Sequence, residues 1–224
     1  MSQPANDRPP PTPAAKPAPG RPKDLAKRAA ILDAATRMFT QLGFEGASMD
    51  QIASLAGVSK LTVYSHFGDK DALFVAVVQA YCQQQLPTAL FEPSPETPLR
   101  ERLLDIARAF HAMIMAPEAV AGHRMLCTPQ WVDSALPQMF WDAGPKRLQG
   151  EFAALLQRRA AAGELDLADP ARAASQFFAL LKGDAHAQLV IGCCDPGREP
   201  DVEGHLVATV DMFLRAYAAT DQQA

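Results

Sequence analysis

The sequence predicts an all-α fold, and three observations support this prediction. Apolar residues recur at helical spacing, with Ala and Leu alternating with charged residues along most of the 224 residues. No run alternates apolar and polar residues in the way that a half-buried β-strand does. Glycine and proline separate the periodic segments, and Ser or Asp stands where several of them begin. The length suffices for a small domain joined to a larger one.

Residues 1–22 differ in composition from the rest of the chain. They contain eight of the 19 prolines and almost no large apolar side chain. Such a segment cannot bury enough apolar surface to offset the entropy lost on ordering. We therefore predict that it is a disordered tail.

Four helices are predicted between residues 24 and 85. The first helix ends at Gly43 and has one apolar face, which consists of Ile31, Ala35, Met38, Phe39 and Leu42. A capping box at Ser48 begins a short second helix that stops at Gly57. The third and fourth helices are predicted at about 60–67 and 69–85.

Residues 57–59 are the junction between the second and third helices. Gly57 can adopt a left-handed turn, Val58 can pack on the core, and Ser59 can cap the next helix. Two short helices joined by a three-residue turn that contains glycine make a helix-turn-helix. We predict a three-helix domain of this type over 23–84 and a larger helical domain over 85–224.

The C-terminal domain is predicted to contain five helical segments, at 99–115, 118–127, 144–162, 170–191 and 202–219. The last two segments each have an apolar face, formed by Ala174, Phe178, Leu181, Ala185 and Leu189 and by Leu206, Val210, Phe213 and Tyr217. Paired with their symmetry mates, these faces would form a four-helix dimer interface. The alternative is that they form the core of a single chain.

Charge is distributed unevenly along the chain. Residues 1–70 contain nine Lys or Arg against six Asp or Glu, a net charge of +3, whereas residues 71–224 carry −7. A local basic region on an acidic protein is typical of a DNA-binding module joined to an effector domain. The segment 60–67 suits sequence readout, because Val63 and Phe67 would face the core and leave the other side chains for DNA. Ser48 and Lys70 begin the neighbouring helices, where free N–H groups favour a phosphate.

Three motifs together resemble one known family. They are Ser48-Met49-Asp50-Gln51-Ile52-Ala53, Ala56-Gly57-Val58-Ser59, and Thr62-Val63-Tyr64-Ser65-His66-Phe67 followed by Lys70 and Leu73-Phe74. Over about 24–84 the chain resembles the TetR/AcrR regulators of bacteria, and Phe177 to Asp184 with Gly144-Pro145 loosely resembles their AefR-like C-terminal class. The resemblance implies a homodimer whose first three helices bind DNA and whose C-terminal domain binds an inducer.

The resemblance also implies roles for individual residues. Thr62, Tyr64, His66 and Lys70 match positions that contact DNA, Ser48 matches a phosphate contact, and Lys60 and Leu61 match variable base-reading positions. Leu61 departs from the small residue that is common there. Ser65 is also available to DNA, and Arg21 and Lys23 are candidates for the phosphates or the minor groove. Asp50 either accepts from a cytosine amine or acts only as a helix-start carboxylate.

A ligand site in the C-terminal domain is expected to be apolar with a few polar groups. The predicted lining residues are Phe110, His111, Met125, Trp131, Trp141 and Phe152, with Met113, Met115, Met139 and Phe140 as further candidates. Residues of these types at helical spacing also pack ordinary cores. The expected ligand is small and apolar or amphipathic.

The functional prediction is a cytoplasmic, sequence-specific repressor that a small molecule releases from a pseudo-palindromic operator in double-stranded DNA. We expect no enzymatic activity, no cofactor and no bound metal, because His123 and Cys127 lack further ligands at useful spacing. We also expect no membrane span, since Lys182, Asp184 and His186 interrupt the most apolar stretch. The alternatives are a redox-responsive regulator that uses Cys193 and Cys194 and a non-specific DNA-architectural protein.

Overall fold

The computed structural model describes residues 24–92, 96–131, 134–193 and 201–219, and the predicted tail with Arg21 and Lys23 lies outside them. These ranges contain ten α-helices and no β-strand, so the predicted all-α fold is confirmed. The helices are α1 (Leu25–Gly46), α2 (Met49–Leu55), α3 (Lys60–Phe67), α4 (Lys70–Gln85), α5 (Leu99–Met115), α6 (Pro117–Leu126), α7 (Leu136–Ala143), α8 (Pro145–Ala161), α9 (Pro170–Ile191) and α10 (Val202–Tyr217). No helix in the described ranges has the length and apolar character needed to span a membrane.

Short polar side chains begin the helices of the N-terminal part, as predicted. The Ser48 hydroxyl accepts from the backbone N–H of Gln51, and the Gln51 side chain accepts from the Ser48 N–H at 2.9 Å, which completes the capping box of α2. Ser59 and Asp69 cap α3 and α4 in the same way. Between α2 and α3, Gly57 has a φ of +66°, the left-handed turn that glycine allows.

The predicted apolar face of α1 is wrong at one position. Ile31, Ala35 and Phe39 are buried, but Leu42 is 48% exposed. Gly43 has a φ of +71° and breaks the helical path, so that Phe44 turns to the core in place of Leu42. Phe44 packs with three aromatic side chains, namely Phe39 of the same helix, Phe74 of α4 and Trp131.

The C-terminal part is a helical bundle around an aromatic cluster. The ring centroid of Phe152 in α8 lies 4.8 Å from that of Phe177 and 5.2 Å from that of Phe178, both in α9. Phe213 of α10 lies 5.0 Å from Phe177, and all four rings are buried. Helix α7 was not predicted. In the structure Pro137 occupies its first turn, where the missing N–H of proline costs no helical hydrogen bond.

The structure contradicts the predicted dimer faces of the last two helices. Ala174, Phe178 and Leu181 of α9 and Leu206, Val210 and Phe213 of α10 are buried within the single chain, so the alternative, an intrachain core, is correct for them. Periodicity identified the buried side of each helix but could not show which partner buries it. The outward sides of the two helices form a second surface, which we call the outer stripe. It consists of Leu180, Ala187, Ile191, Ala208, Met212 and Ala216.

Candidate DNA interface and effector cavity

Helix α3 presents one exposed face with four of the predicted DNA-binding residues. Lys60, Leu61, Tyr64 and Ser65 are exposed, at offsets of 0, 1, 4 and 5, which lie on one side of a helix. Leu61 is 79% exposed and Tyr64 41% exposed. Val63 is fully buried and Phe67 packs partly on the core, which confirms the predicted inward face.

The other two predicted residues of α3 are less accessible. The Thr62 hydroxyl lies 2.8 Å from the Ser59 hydroxyl at the start of the helix. His66 is half-buried, and its Nδ1 is buried without a hydrogen-bond partner among the described residues. Thr62 therefore contributes to the cap of α3, whereas His66 is partly buried without such a contact.

Lys60 is paired with the acidic residue of the neighbouring helix. Its ammonium lies 2.8 Å from a carboxylate oxygen of Asp50 in α2 and 5.9 Å from the centroid of the Tyr64 ring. The hydrogen bond to Asp50 raises the pKa of Lys60. The ammonium is therefore charged, and it is already paired with Asp50 on the surface where a DNA contact is expected.

Lys70 ties the start of α4 to the end of α1. Its ammonium donates to the backbone oxygens of Phe44, at 2.9 Å, and Ala47, at 3.3 Å, and it lies 4.3 Å from the centroid of the Phe44 ring. Ser48, Lys60, Tyr64 and Lys70 line one shallow cleft together with Asp50. The fold thus brings predicted residues from α2, α3 and α4 to a common surface.

Sequence reasoning did not single out Arg28 as a site residue. In the structure its guanidinium lies 5.3 Å from the centroid of the Phe67 ring, so the start of α1 sits beside the end of α3. Arg28 lies in the first turn of α1, and its position next to α3 depends on tertiary packing.

A cavity of about 150 Å³ lies between the N-terminal and C-terminal helices. Two of the six predicted ligand residues, Phe110 and Met125, line it, as do Met113 and Phe140 from the wider candidate set. The other four lie outside it. His111 and Phe152 are buried elsewhere, Trp131 packs against Phe44, and Trp141 is 42% exposed.

Helices α1 and α4 provide a large part of the cavity wall, which sequence reasoning missed. The lining residues from these helices are Thr36, Phe39, Thr40, Phe74, Val77, Val78, Tyr81 and Cys82. Phe39, Phe74, Val77, Val78 and Tyr81 have the helical spacing of an apolar face, which a packed core and a cavity wall share. Burial raises the pKa of Tyr81 to about 12 and that of Cys82 to about 11, so both groups are neutral at neutral pH.

His123 lines the cavity and contacts a second histidine, His186, behind it. Nε2 of His186 in α9 is 3.2 Å from Nδ1 of His123 in α6, and the His123 ring meets the edge of Phe140. Burial lowers the pKa of both residues, that of His123 to about 4. The two imidazoles are therefore neutral at neutral pH, and one donates to the other.

Comparison with protein families identifies the chain. Residues 31–77 match the model for bacterial regulatory proteins of the tetR family, and residues 101–219 match the model for the C-terminal domain of AefR-like transcriptional repressors. The second match alone covers more than half of the 224 residues. The chain belongs to the TetR family. It is a DNA-binding transcriptional regulator, as the sequence motifs predicted.

Solved structures of TetR-family proteins agree over nearly the whole chain. The flavonoid-responsive regulator FrrA is 32% identical, with a TM-score of 0.68, and the match covers 90% of this chain and 100% of FrrA. A TetR-family regulator from Mesorhizobium loti is 29% identical, with a TM-score of 0.70 and coverage of 87% and 98%. These neighbours are regulators rather than enzymes.

Curated transcriptional regulators match shorter parts of the chain than the solved structures do. The transcriptional regulator RutR of Escherichia coli is 50% identical over 54 residues, which is 24% of this chain. The chain spans about a quarter of the length of RutR, 26%, in that match. The similarity to RutR therefore concerns one segment of the chain and not its whole length.

Three of the four cysteines are described. Cys82 is buried, whereas Cys127 and Cys193 are exposed. Cys194 lies outside the described residues, so the alternative of a redox response through Cys193 and Cys194 stays a prediction. Among the residues that the structure describes, no group of three or more His, Cys, Asp or Glu side chains could hold a metal ion.

Proposed function

We propose that this TetR-family regulator is a dimeric repressor that leaves a pseudo-palindromic operator when a small apolar or amphipathic molecule enters the cavity. One observation carries the proposal: the cavity is lined both by α1 and α4, which hold α3 in place, and by the C-terminal helices α5, α6, α8 and α9. A ligand there would contact both parts of the chain at once. We also propose that the DNA-binding domain ends at residue 84 and that the C-terminal domain begins at residue 85, at the end of α4.

The wall formed by α1 supports a direct route from ligand to DNA. Thr36, Phe39 and Thr40 line the cavity on the same helix whose start lies beside α3. A ligand that binds better to a shifted α1 would move Arg28 and α3 away from the operator-binding arrangement. By linkage, the operator would weaken ligand binding by the same factor.

The chemistry of the wall favours an aromatic or aliphatic ligand. Phe39, Phe74, Phe110, Phe140 and Phe178 all line the cavity, and most of the other lining residues are apolar. FrrA is described as flavonoid-responsive. A flavonoid is therefore a reasonable first probe for this chain.

The proposal is tested by finding the operator and then titrating the probe. Purified protein is used to select fragments of genomic DNA, beginning with those next to its own gene, and the protected sequence is mapped by footprinting. We expect two half-sites about 34–36 Å apart along the duplex. Naringenin, a flavonoid, is then titrated against the complex with fluorescein-labelled operator, and a fall in anisotropy is expected.

Two results would contradict the proposal. Uniform weak binding that disappears with modest salt would favour the architectural alternative. If the protein binds a ligand in the cavity and the operator complex stays intact, the cavity does not control release of the protein from DNA.

For the DNA contacts, we propose that Lys60, Leu61, Tyr64 and Ser65 face the major groove. Ser48, Lys70 and Arg28 lie at positions suited to flanking phosphates. Arg21 and Lys23, which precede α1 in the sequence, are further candidates for phosphate contacts. Thr62 and His66 would need local rearrangement to reach DNA, because their side chains are partly buried in α3.

Asp50→Asn is expected to strengthen operator binding. The substitution removes a negative charge from the DNA-facing surface and frees the Lys60 ammonium, which an exposed ion pair holds only weakly. If Lys60 then neutralises one more phosphate, affinity should rise roughly three- to tenfold and the salt dependence should steepen by about one unit. Anisotropy titrations with operator DNA at several salt concentrations measure both.

Asp142→Asn is the matched control. It breaks a comparable exposed pair, Asp142 with Lys146 at 2.8 Å, in the C-terminal part of the chain, and it should leave operator affinity unchanged. Weaker binding by the Asp50 variant would mean instead that Asp50 accepts a hydrogen bond from a base.

For the dimer, we propose that the outer stripe of α9 and α10 meets its symmetry mate. The stripe includes Leu180, 39% exposed, Met212, 42% exposed, and Ile191, 73% exposed, with small alanines between them. Exposed apolar side chains on two adjacent long helices are a common basis for a four-helix interface.

A further inference from the structure

Lys182 is a charged residue in an apolar cavity. It lies in α9, lines the cavity, and is about half-buried. Within the described ranges its ammonium forms no ion pair and no hydrogen bond, whereas Lys27, Lys60, Lys70 and Lys146 all pair with carboxylates. It is thus the lysine of the described chain whose charge is not compensated.

The position of Lys182 is unfavourable for an isolated cation. Burial lowers the pKa of its ammonium, and no carboxylate acts in the opposite direction. Removing an ammonium from water without a partner costs free energy, which an anion brought into the same cavity would recover. A lysine retained in this setting therefore favours a negatively charged ligand.

The groups around Lys182 allow an anion at this end of the cavity. Lys182 and His123 both line the cavity, and His186, which contacts His123, lies four residues after Lys182 in α9. In the tautomer in which His186 donates to Nδ1 of His123, His123 retains an Nε2–H that can donate to a ligand. In the other tautomer His123 donates from Nδ1 to His186, so its Nε2 has no hydrogen. The Lys182 ammonium is then the donor to the ligand.

The single carboxylate in the wall lies away from this end. Glu118 is five residues before His123 in α6, which places it about 7.5 Å along the helix axis. Its charge contributes to the raised pKa of Tyr81 in α4. An anionic ligand would therefore be oriented, with its charge toward Lys182 and its apolar body along the phenylalanines.

We propose that the effector cavity takes an apolar organic anion whose charged group binds Lys182 and whose ring or chain fills the phenylalanine-lined space. This inference rests on the proposed function only in treating the cavity as a binding site. It adds the charge of the ligand and its orientation, which membership of the TetR family does not specify.

Two fluorescent dyes that differ by one charged group test the proposal. 8-Anilinonaphthalene-1-sulfonate carries a sulfonate, and N-phenyl-1-naphthylamine has the same aromatic body without it. Both dyes become fluorescent in apolar surroundings. Each is titrated into the full-length protein, into Lys182→Met, which keeps the length and apolar stem of the side chain, and into Lys182→Arg, which keeps the charge.

We expect Lys182→Met to weaken binding of the sulfonate dye roughly tenfold or more, the usual scale for a charge-assisted hydrogen bond in a partly buried site. Binding of the neutral dye should stay within about twofold of the original protein or become tighter. Lys182→Arg should retain most of the affinity for the sulfonate dye. Lys146→Met, which removes an exposed lysine of the same domain, should change neither dye.

The outcomes separate this inference from the proposed function. If the neutral dye binds and Lys182→Met leaves the preference between the dyes unchanged, the anion proposal is wrong and the cavity remains an effector site. If neither dye binds, both proposals are overturned. They are also overturned if Gly122→Leu leaves binding of the neutral dye unchanged, because the dye then binds outside the cavity. Circular dichroism and the melting temperature show whether each variant is folded.

Discussion

The double variant Leu180→Glu with Met212→Glu is expected to be a folded monomer that binds its operator roughly a hundredfold more weakly, because the avidity of two linked recognition helices is lost. Both residues lie in the section of α9 and α10 that two contacts between the helices delimit. The Tyr217 hydroxyl donates to the side chain of Gln176 at one end, and His205 lies 3.3 Å from the backbone oxygen of Leu181 at the other. Two glutamates facing their symmetry mates would repel across the proposed interface.

Light scattering after size-exclusion chromatography measures the oligomeric state, and anisotropy measures operator affinity. Because both positions are exposed in the single chain, the melting temperature of the monomer itself should change little. Trp141→Glu is the control, since it places a glutamate at an equally exposed apolar residue outside the outer stripe. A double variant that remains dimeric would show that another surface joins the protomers.

Gly122→Leu is expected to close the effector cavity and to abolish the response to ligands. Gly122 lies within α6 and lines the cavity, and a Cβ built on it meets no atom within 4 Å. The leucine side chain should therefore enter open space without strain. A ligand that has to share this cavity should bind at least roughly tenfold more weakly, while operator affinity without ligand should stay the same.

The change should also stabilise the protein, since glycine within a helix costs about 0.5–1 kcal/mol relative to alanine. Gly150→Leu is the matched control: Gly150 lies in α8, its Cβ position is equally open, and it does not line the cavity. Both variants should melt at a higher temperature, and only Gly122→Leu should lose binding of N-phenyl-1-naphthylamine. Equal dye binding by the two variants would mean that the dye occupies a different site.

The helix-turn-helix could be predicted from local signals because its geometry depends on local interactions. The Ser48 capping box, the left-handed turn at Gly57 and the cap at Ser59 each involve residues within a few positions of one another. The exposed face of α3 also followed from spacing, since Val63 and Phe67 had to face inward. The same reasoning failed at Leu42, because a break at Gly43 changes the direction of the chain.

The ligand residues were harder to predict because a cavity is made of space that several distant segments leave unfilled. Phe110 and Phe152 have the same residue type and similar helical settings, yet one lines the cavity and the other is buried in the aromatic cluster. Lys182 was visible in the sequence only as a charge that interrupts an apolar stretch. Its place beside His123 and His186 depends on how α6 packs against α9.

The sequence by itself determined the helical class, the start and end of most helices, the family and the side of α3 that is exposed. These features depend on periodicity, caps and turns, which act over a few residues. Only the tertiary structure decided that the apolar faces of α9 and α10 are buried in the core of their own chain, that Arg28 lies beside α3, and that α1 forms a wall of the cavity. The physical reason is that burial is not directional: an apolar stripe requires a partner, and the arrangement of the whole chain selects which one.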